Sequence, residues 1–313
     1  MPDASADDAA VAPAAANSAA TQVDICICTF QRPSLRRTLE SLIALDGGVR
    51  FRVIVADNDD TPSARELVAQ AQDELGLSIT YRHAPARNIS VARNACLDAV
   101  EAEFMAFIDD DEIAPPHWLR LLFEEAQASG ADVVFGPVKA VYGSDAPAWV
   151  VTGDFHSFQP VIGAGGEIET GYSSNVLMRR SAVGALRFDP ALGRAGGEDT
   201  FFFAQMHEAG ARLGFCPGAM VEEPTAPARA NLSWLTRRAF RSGQTHARLL
   251  RSRGQGALAI TAGALPKALY CGFWVIGSLY SPVRWRKNVI RGALHVGVLA
   301  RAWGLADLEI YGR

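Results

Sequence analysis

The sequence lacks the phosphate-binding loops of two large enzyme classes. Its first apolar strand leads into Cys28, Thr29 and Phe30, where a G-x-G-x-x-G stretch would stand, and the chain contains no G-x-x-x-x-G-K-[ST] loop. Such glycines let a backbone approach phosphate groups closely in nicotinamide-dependent dehydrogenases and in P-loop nucleotidases. Their absence argues against both classes.

Cysteine and histidine are too scattered to indicate a disulfide framework or a zinc site. The cysteines include no C-x-x-C pair, and the 6 histidines show no metal-ligand spacing. We therefore expect a reducing cytoplasm as the compartment. His156, in the segment GDFHS, is the one histidine that stands out as a candidate functional residue. The five cysteines are Cys26, Cys28, Cys96, Cys216 and Cys271.

Lysine and arginine are absent from residues 1–22, which contain ten alanines and three aspartates. A secretory signal needs a basic start and an apolar stretch, and this segment has neither. We predict that residues 1–22 form a disordered tail.

Acidic residues are scarce at the C-terminal end. Residues 229–313 contain 14 lysines and arginines against Asp307 and Glu309, so this part carries +12 and residues 1–228 carry −16. An acidic body joined to a basic, apolar end is typical of a protein that binds a metal and sits on anionic lipid. A solvated basic face without a ligand is the alternative. Nucleic acid is not an expected partner, because long apolar runs separate the basic residues.

Strand and helix patterns alternate through the first half of the chain. At 313 residues and 49% hydrophobic content, the chain can bury a large core. The alternation predicts an α/β fold, a mostly parallel sheet with helices on both faces. Predicted strands are 23–30, 52–57, 78–82, 104–108 and 174–180; predicted helices are 34–45, one opened by Thr61 as N-cap with Pro62 at its first position, 90–101, one from Pro115-Pro116 to 127, and one from about Asp199 to Gly210.

Acidic residues follow two of these strands. Asp57 ends the second strand and Asp109, Asp110 and Asp111 end the fourth. Ligands of parallel sheets bind beyond the carboxyl ends of the strands, so we expect these acids to meet at one edge. Asp109 and Asp111 are candidate ligands of Mg²⁺ or Mn²⁺, which prefer carboxylate oxygens and bridge them to substrate phosphates. A solvated acidic turn is the alternative.

Two further segments carry candidate chemistry. Glu198 and Asp199 follow a glycine pair and open a helix, where a carboxylate could act as general base or simply cap the helix. Arg238 and Arg241, spaced to share one helix face, are candidates for binding phosphate. A solvated or lipid-facing helix side is the alternative for the arginines.

Four stretches, in this order, resemble the family 2 glycosyltransferases of the GT-A fold. They are CTFQRPSLRRTLESL, VIVADN, RNISVARNACLDAVEAEFMAFIDDDE and GGEDTFFF, and the resemblance extends over about residues 23–250. The segments GDFHS, TGY, GGEDT and FRSGQTH resemble more specifically the glucosyltransferases of succinoglycan-type exopolysaccharide synthesis. The resemblance implies a UDP-sugar-dependent hexosyltransferase.

The resemblance also implies roles for individual residues. Asp109 and Asp111 would form the D-x-D metal motif, with Asp199 as catalytic base and Glu198 as its neighbour. Asn58 departs from the second acid of many relatives, and RRAFRSG replaces the Q-x-x-R-W motif of processive polymerases, which favours addition of a single sugar. Residues expected around the donor nucleotide are Thr29, Arg32, Asp57, Asn88, Arg93, Asp109, Asp110, Arg238 and Arg241.

The C-terminal region contains two apolar runs, 254–266 and 268–283. A spanning helix needs about 20 apolar residues, and Pro266 and Lys267 interrupt the stretch, so we expect a monotopic attachment. A basic and aromatic cluster follows at 284–287, suited to the headgroup layer at the cytoplasmic face of the inner membrane. The alternative is a hydrophobic helical hairpin packed on the catalytic body or on a second subunit.

The expected organisation is a tail (1–22), a nucleotide-sugar-binding half (23–130), an acceptor-binding half with the base (131–235) and a membrane-associating helical region (236–313). The resemblance implies transfer of glucose from UDP-glucose to a polyprenyl-diphosphate-linked oligosaccharide. Two rival functions remain: a nucleotidyltransferase built on a related sheet, and a non-catalytic membrane-bound subunit of a polysaccharide assembly complex.

Overall fold

A computed structural model describes residues 22–308. The predicted disordered tail lies outside the described residues apart from Gln22, whose backbone N–H donates to the carbonyl of Arg50 just before the first strand. The strands are β1 (Val23–Thr29), β2 (Phe51–Asp57), β3 (Ile79–His83), β4 (Phe104–Ile108), β5 (Val133–Phe135), β6 (Val138–Tyr142), β7 (Asn175–Arg179), β8 (Leu213–Phe215) and β9 (Val221–Thr225).

Helices connect these strands and form the C-terminal region. Most of the helices in the catalytic body connect one strand to the next, because parallel neighbouring strands require a crossover connection. They are α1 (Leu35–Ile43), α2 (Arg65–Leu75), α3 (Ile89–Ala99), α4 (Trp118–Ser129), α5 (Ala148–Gly153), α6 (Arg180–Val183), α7 (Glu198–Glu208), α8 (Leu232–Ser252), α9 (Ala257–Gly277) and α10 (Pro282–Ala302).

Seven strands form one sheet in the order β3-β2-β1-β4-β7-β5-β8. Its pairs are parallel except where β7 runs antiparallel between β4 and β5. Strands β6 and β9 form a second, parallel pair next to the end of β4. The predicted mostly parallel sheet is confirmed.

Helices cover both faces of this sheet. Leu35, Leu39 and Leu42 of α1 pack with α2 and α4 on one face, and α3 and α7 pack on the other. The central strands are buried on both sides, as their continuous apolar runs indicate. The predicted covering by helices on both faces is confirmed.

The predicted start of the second helix is wrong. The helix begins at Arg65, and Thr61 and Pro62 lie in the turn that precedes it. The Thr61 hydroxyl donates to the Asp59 carboxylate, and the Ala64 N–H donates to Asp57. The Asp57 carboxylate at the end of β2 therefore caps the start of the helix, and the Thr61 hydroxyl stabilises the loop before it.

Four strands, β5, β6, β8 and β9, were not predicted from the sequence. They contain three to five residues each, too few to show a periodic pattern. Because β5 and β8 continue the main sheet, the two predicted halves of the catalytic body share one sheet. Their division by function stays a prediction.

The C-terminal region consists of the three long helices α8, α9 and α10. The predicted interruption at Pro266 is wrong, because α9 continues through it for 21 residues. Ile260 and Ala264 on one side of the proline and Cys271 on the other are buried, and this packing holds the helix together despite the lost hydrogen bond. Among the described helices, α9 is the one long and apolar enough to cross a membrane.

Candidate active site

The carboxyl ends of β1, β2 and β4 bring the predicted site residues to one edge of the sheet. Thr29 pairs with Asp57 in the register of β1 and β2, and β4 lies parallel on the other side of β1. The Thr29 hydroxyl donates to Asp110 at 2.7 Å, although 81 residues separate the two in the chain. The expected placement of these acids at one edge of the sheet is confirmed.

The acidic stretch after β4 forms a closed turn. The Glu112 N–H donates to the Asp109 carbonyl, and the Glu112 carboxylate accepts from the Asp109 N–H at 2.9 Å. Burial and repulsion between neighbouring carboxylates raise the pKa of Asp109 to about 6 and that of Asp110 to about 7. Glu112 is buried and its Oε1 has no hydrogen-bond partner. The turn concentrates negative charge in a place that is poorly solvated.

Arg32 lies beside this turn and offsets part of its charge. Its guanidinium forms an ion pair with Asp111 and lies 4.0 Å from Asp110. The end of β1 and the loop after it thus contact the acidic turn through Thr29 and Arg32, both of which were predicted to flank the nucleotide. Binding of the nucleotide by the two residues stays a prediction.

Glu223 is a site residue that the sequence analysis missed. Ile113 and Glu222 form an antiparallel bridge, with N–H to carbonyl distances of 2.8 and 3.0 Å, which joins the acidic turn to β9. Burial, followed by repulsion from Asp111 and Asp109, raises the pKa of Glu223 to about 7. The Glu222-Glu223 pair directly after the apolar AMV was the available signal, but β9 itself was not recognised.

Arg93 and Glu198 form a buried ion pair that connects α3 with the start of α7. The nearby carboxylates Glu198, Asp199 and Asp109 raise the pKa of Arg93 despite its burial. Arg93 is therefore fully charged and faces both groups of acids. The predicted place of Arg93 at the border of the donor site stays a prediction, as does the assignment of Glu198 as neighbour of the base.

Asp199 lies half-buried in the first turn of α7, with one carboxylate oxygen accepting from the Thr200 N–H at 2.7 Å. Burial and the charge of Glu198 raise its pKa to about 6, while Arg93 and Arg241 act in the opposite direction. A carboxylate with such a pKa is mostly ionised at neutral pH and can accept a proton readily.

Two glycines allow α8 to approach this carboxylate. Gly196 and Gly197 have φ angles of 82° and 97°, a region that side chains disfavour. A Cβ atom on Gly196 would lie 2.6 Å from the guanidinium of Arg241, and one on Gly197 would lie 2.5 Å from Thr245. The glycine pair before the acids is thus required by close packing against α8.

Arg238 lies on the same helix as Arg241, as the spacing predicted. Its guanidinium contacts the rings of Phe158 and Trp234, at 5.6 and 5.4 Å from the ring centroids. Its positive charge also opposes the rise in the pKa of Glu223. Arg238 therefore faces Glu223 on β9, and Arg241 faces Asp199 on α7.

Asp57 and Asn88 are held by the protein itself. Asp57 is fully buried, and its carboxylate accepts from the N–H groups of Asp59 and Ala64 and from the Tyr81 hydroxyl. Asn88 caps α3 by accepting from the Ser90 N–H and donates to the Pro190 carbonyl. Both hold the loops at the carboxyl edge of the sheet in place. Direct contact of either residue with a nucleotide stays a prediction.

His156 is buried in a polar and aromatic cluster. Its ring hydrogen bonds to the Tyr142 hydroxyl and to the Arg229 carbonyl, at 3.3 and 3.1 Å, and stacks on Trp234. Burial lowers its pKa. These contacts support the start of α8 and place His156 among the residues that shape the site.

The carboxylates of the turn after β4 suit a hard divalent cation. All candidate ligands are carboxylates, and two buried oxygens, Glu112 Oε1 and Glu198 Oε2, have no hydrogen-bond partner. Within the described residues no three histidine, cysteine or acidic side chains enclose a metal by themselves. Asp109 and Asp111 would therefore hold Mg²⁺ or Mn²⁺ together with substrate phosphates, which is a common arrangement for Mg²⁺.

A cavity of about 320 Å³ opens directly beside Asp111. Its wall includes three arginines, Arg32, Arg37 and Arg229, and the segment 224–227, which contains the end of β9 and the two residues after it. Guanidinium groups match the oxygen geometry of phosphate. This side of the site thus favours an anionic ligand.

Comparison with known proteins gives one family. The glycosyl transferase family 2 profile matches residues 24–187. The succinoglycan biosynthesis protein ExoM of Rhizobium meliloti (strain 1021) is 47% identical over 296 residues, which cover 93% of this chain and 96% of that protein. The glucosyl-dolichyl phosphate glucuronosyltransferase of Haloferax volcanii is 26% identical over 249 residues, covering 71% of this chain and 75% of that protein.

Solved structures support the fold. The crystal structure of S. aureus TarS 1-349 in complex with UDP-GlcNAc superposes with a TM-score of 0.54 at 15% identity, and the match covers 91% of this chain and 93% of that one. At this level of identity the likeness concerns the arrangement of the sheet and its helices.

Proposed function

The chain belongs to glycosyl transferase family 2, and from this premise we propose that it transfers glucose from UDP-glucose to a polyprenyl-diphosphate-linked oligosaccharide with inversion at the anomeric carbon. It is a hexosyltransferase of the GT-A fold, similar over nearly its whole length to a succinoglycan biosynthesis protein. The proposal adds the donor, the acceptor, the place of reaction and the roles of the residues.

The donor's diphosphate binds at the acidic turn after β4. Asp109 and Asp111 would hold Mg²⁺ or Mn²⁺, and the bound cation would supply positive charge next to the nucleoside diphosphate. Thr29, Arg32 and Asp110 form the hydrogen-bonded border of this site. Arg238 and Arg241 approach from α8 and add positive charge near the phosphates.

Asp199 acts as the base in a single displacement. It takes the proton of the acceptor hydroxyl while that oxygen forms a bond to the anomeric carbon. The bond from the anomeric carbon to the phosphate oxygen breaks, and its electron pair leaves with UDP. The ion pair of Glu198 with Arg93 positions the start of α7.

One observation carries this proposal. Arg93 interacts electrostatically with Asp109 on the metal side and with Asp199 on the base side. Both carboxylates therefore lie near one buried cation, which supports a sugar at the metal site being close to the base. A site of this kind supports attack on the anomeric carbon next to a bound diphosphate.

A lipid-linked acceptor at the cytoplasmic face of the inner membrane fits the rest of the molecule. A relative from Haloferax volcanii carries dolichyl phosphate in its name. The three arginines of the cavity beside Asp111 are suited to phosphate groups, and the C-terminal region is basic and apolar. Both features support an acceptor that is anionic and anchored in lipid.

The experiment that tests the function is a transfer assay with purified full-length protein, a lipid-diphosphate acceptor and a panel of nucleotide sugars. We expect UDP release from UDP-glucose with Mn²⁺ or Mg²⁺, loss of activity in EDTA, and a product of inverted configuration by NMR. Asp111→Asn should lose about 10² or more in kcat/KM, because metal and electrostatic stabilisation both fail.

Asp73→Asn, which changes an exposed acid on α2, is the matched control and should keep full activity. Release of pyrophosphate would indicate a nucleotidyltransferase. Activity with a donor other than UDP-glucose would overturn the donor assignment, and absence of turnover with every donor would support a non-catalytic assembly role.

A further inference from the structure

Helix α9 presents an apolar surface that no part of the described chain covers. Its outward side includes Leu258, Leu269, Phe273 and Ile276, which are between 66% and 76% exposed. Only Ile260, Ala264 and Cys271 are buried. An apolar surface of this length on a folded protein indicates a contact with a membrane or another protein.

The exposed apolar residues form one ridge along the helix. Leu258, Leu265, Leu269, Phe273 and Ile276 follow one another at intervals of three, four or seven residues, which places them on one side of an α-helix. The buried stripe lies on another side and packs against α10. We call the ridge formed by these five residues the α9 ridge.

The packing of α10 opposes a crossing of the membrane by α9. The two helices run antiparallel along their full length, since Trp303 donates to Thr261 at one end and Asn288 donates to the Trp274 carbonyl at the other. Any depth reached by the middle of α9 is therefore shared by the middle of α10.

Charged side chains occupy those depths. Lys267 lies in the middle of α9, and Lys287 and Arg291 on α10 are exposed beside its C-terminal half. Each such charge costs about 2.5 to 3.5 kcal/mol at the centre of a bilayer. A crossing would bury several of them, whereas a helix lying in the interface leaves them in the headgroup layer.

Positive charge and aromatic rings lie near the two ends of α9. Residues 230–306 contain no aspartate or glutamate, while Arg284, Arg286 and Lys287 lie in the first two turns of α10. Tyr280, which accepts a hydrogen bond from Arg284, is exposed just before α10, and Trp303 is exposed just after it. Lysine, arginine, tryptophan and tyrosine are the residues that favour the headgroup layer.

The same charge argues against a second copy of the chain as the partner. A symmetric dimer through the α9 ridge would bring two acid-free basic surfaces together, and like charges at an interface are costly. An anionic lipid surface attracts this region, at about 1 kcal/mol for each basic residue near the surface.

We propose that α9 lies in the plane of an anionic membrane, with the α9 ridge inserted among the acyl chains and the basic residues at 284–291 on the lipid phosphates. The inference builds on the proposed function in that the acceptor is lipid-linked, but it concerns a surface separate from the catalytic residues. The bilayer thereby holds the catalytic crevice at a fixed height above the lipid.

Vesicle flotation of the full-length protein tests the surface. We expect binding to vesicles of phosphatidylcholine with phosphatidylglycerol and much weaker binding to phosphatidylcholine alone. The double variant Leu269→Ser and Phe273→Ser should bind the anionic vesicles at least tenfold more weakly. Val161→Ser, which removes an equally exposed apolar side chain from the catalytic body, should bind as the wild type does.

Depth measurements distinguish lying in the plane from crossing. A fluorophore attached in turn to Leu258→Cys, Leu269→Cys and Ile276→Cys should be quenched by brominated lipids to the same shallow depth. A deep label at position 269 between two shallow ones would overturn the proposal in favour of a crossing. So would unchanged vesicle binding in the double variant, or a dimer of the wild type that the double variant abolishes without any lipid dependence.

The catalytic and lipid-binding tests fail independently. UDP release in detergent, measured without vesicles, should be the same for the double variant and the wild type. Asp111→Asn should bind vesicles normally. A failure of the membrane proposal thus leaves the transfer assay intact, and a failure of the proposed function leaves vesicle binding intact.

Discussion

The acids of the site have different surroundings, and these decide what each can do. Asp57 is fully buried and holds a loop through hydrogen bonds from two N–H groups and a hydroxyl. Glu198 is paired with a buried arginine. Asp199, next in sequence, keeps a carboxylate that is half-buried and close to the crevice. Of these three, Asp199 is the one that we propose as the base, because its carboxylate is partly exposed.

The pH dependence of transfer should report the ionisation of Asp199. Burial and Glu198 raise its pKa to about 6, so with saturating metal we expect kcat/KM to fall about tenfold per pH unit below that value. Arg241 acts to lower this pKa, so Arg241→Gln should shift the acidic limb to higher pH. Asp199→Asn should lower kcat by about 10² to 10⁴ with an unchanged melting temperature.

The control for this prediction is Asp73→Asn, whose pH profile should match that of the wild type. An acidic limb that stays in place in Arg241→Gln would contradict the assignment of the limb to Asp199. Full activity of Asp199→Asn would remove the residue from the mechanism altogether.

At the scale of elements, α8 connects the catalytic body with the C-terminal helices. Its first half contacts the site through Arg238 and Arg241, and its second half packs against α10. Two glycines make that packing close: a Cβ atom on Gly243 would lie 1.9 Å from the Leu294 carbonyl oxygen, and one on Gly297 would lie 2.0 Å from that of Phe240. The pair permits the two helix backbones to touch.

Gly297→Ala should therefore destabilise the C-terminal helices by about 1 to 3 kcal/mol, because the added methyl group meets backbone atoms that cannot rotate away. The measurement is chemical denaturation combined with limited proteolysis of α9 and α10. Gly272→Ala on α9 is the matched control: nothing lies within 4 Å of its added Cβ, and alanine is the better helix former by about 1 kcal/mol. Equal stability of Gly297→Ala and wild type would contradict the close crossing.

At the scale of the whole molecule, charge is separated between two ends of the chain. The catalytic body carries a net negative charge, and the acid-free helices at the C-terminal end carry a net positive charge. This separation suits a protein that binds a cation at its site and an anionic surface at its C-terminal region. It also makes the stability of the metal-free protein depend on the protonation of the crevice.

Global stability should respond to pH and metal together. The pKa values of Asp109, Asp110 and Glu223 are raised to about 6, 7 and 7, so the folded protein binds more protons than the unfolded chain at mildly acidic pH. The stability contributed by these protons is complete below the unfolded pKa values and is lost as pH rises through the folded values. We expect Mn²⁺ to raise the melting temperature more at about pH 8 than at about pH 5.5.

Glu223→Gln provides the comparison for this measurement. With one carboxylate fewer in the crevice, the melting temperature without metal should fall less between the two pH values than it does in the wild type. An equal effect of Mn²⁺ at both pH values, or an unchanged slope in Glu223→Gln, would contradict this account.

The sequence by itself determined the parts of the protein that local pattern encodes. The apolar runs of β1, β2 and β4, the amphipathic α1 and the acidic turn after β4 could all be predicted, because strand and helix periods show directly which residues face a core. Order along the chain then predicted a mostly parallel sheet, and the ordered motifs indicated the family.

Only the tertiary structure decided which distant residues meet. Glu223 lies with Asp109 and Asp111 because β9 bridges to the turn at Ile113, and Arg93 pairs with Glu198 across 105 residues of sequence. The continuation of α9 through Pro266 and the exposure of its apolar ridge likewise depend on packing against α10. A periodic pattern determines that a face is apolar, but what covers that face, and which charges lie beside it, depends on contacts between elements far apart in the chain.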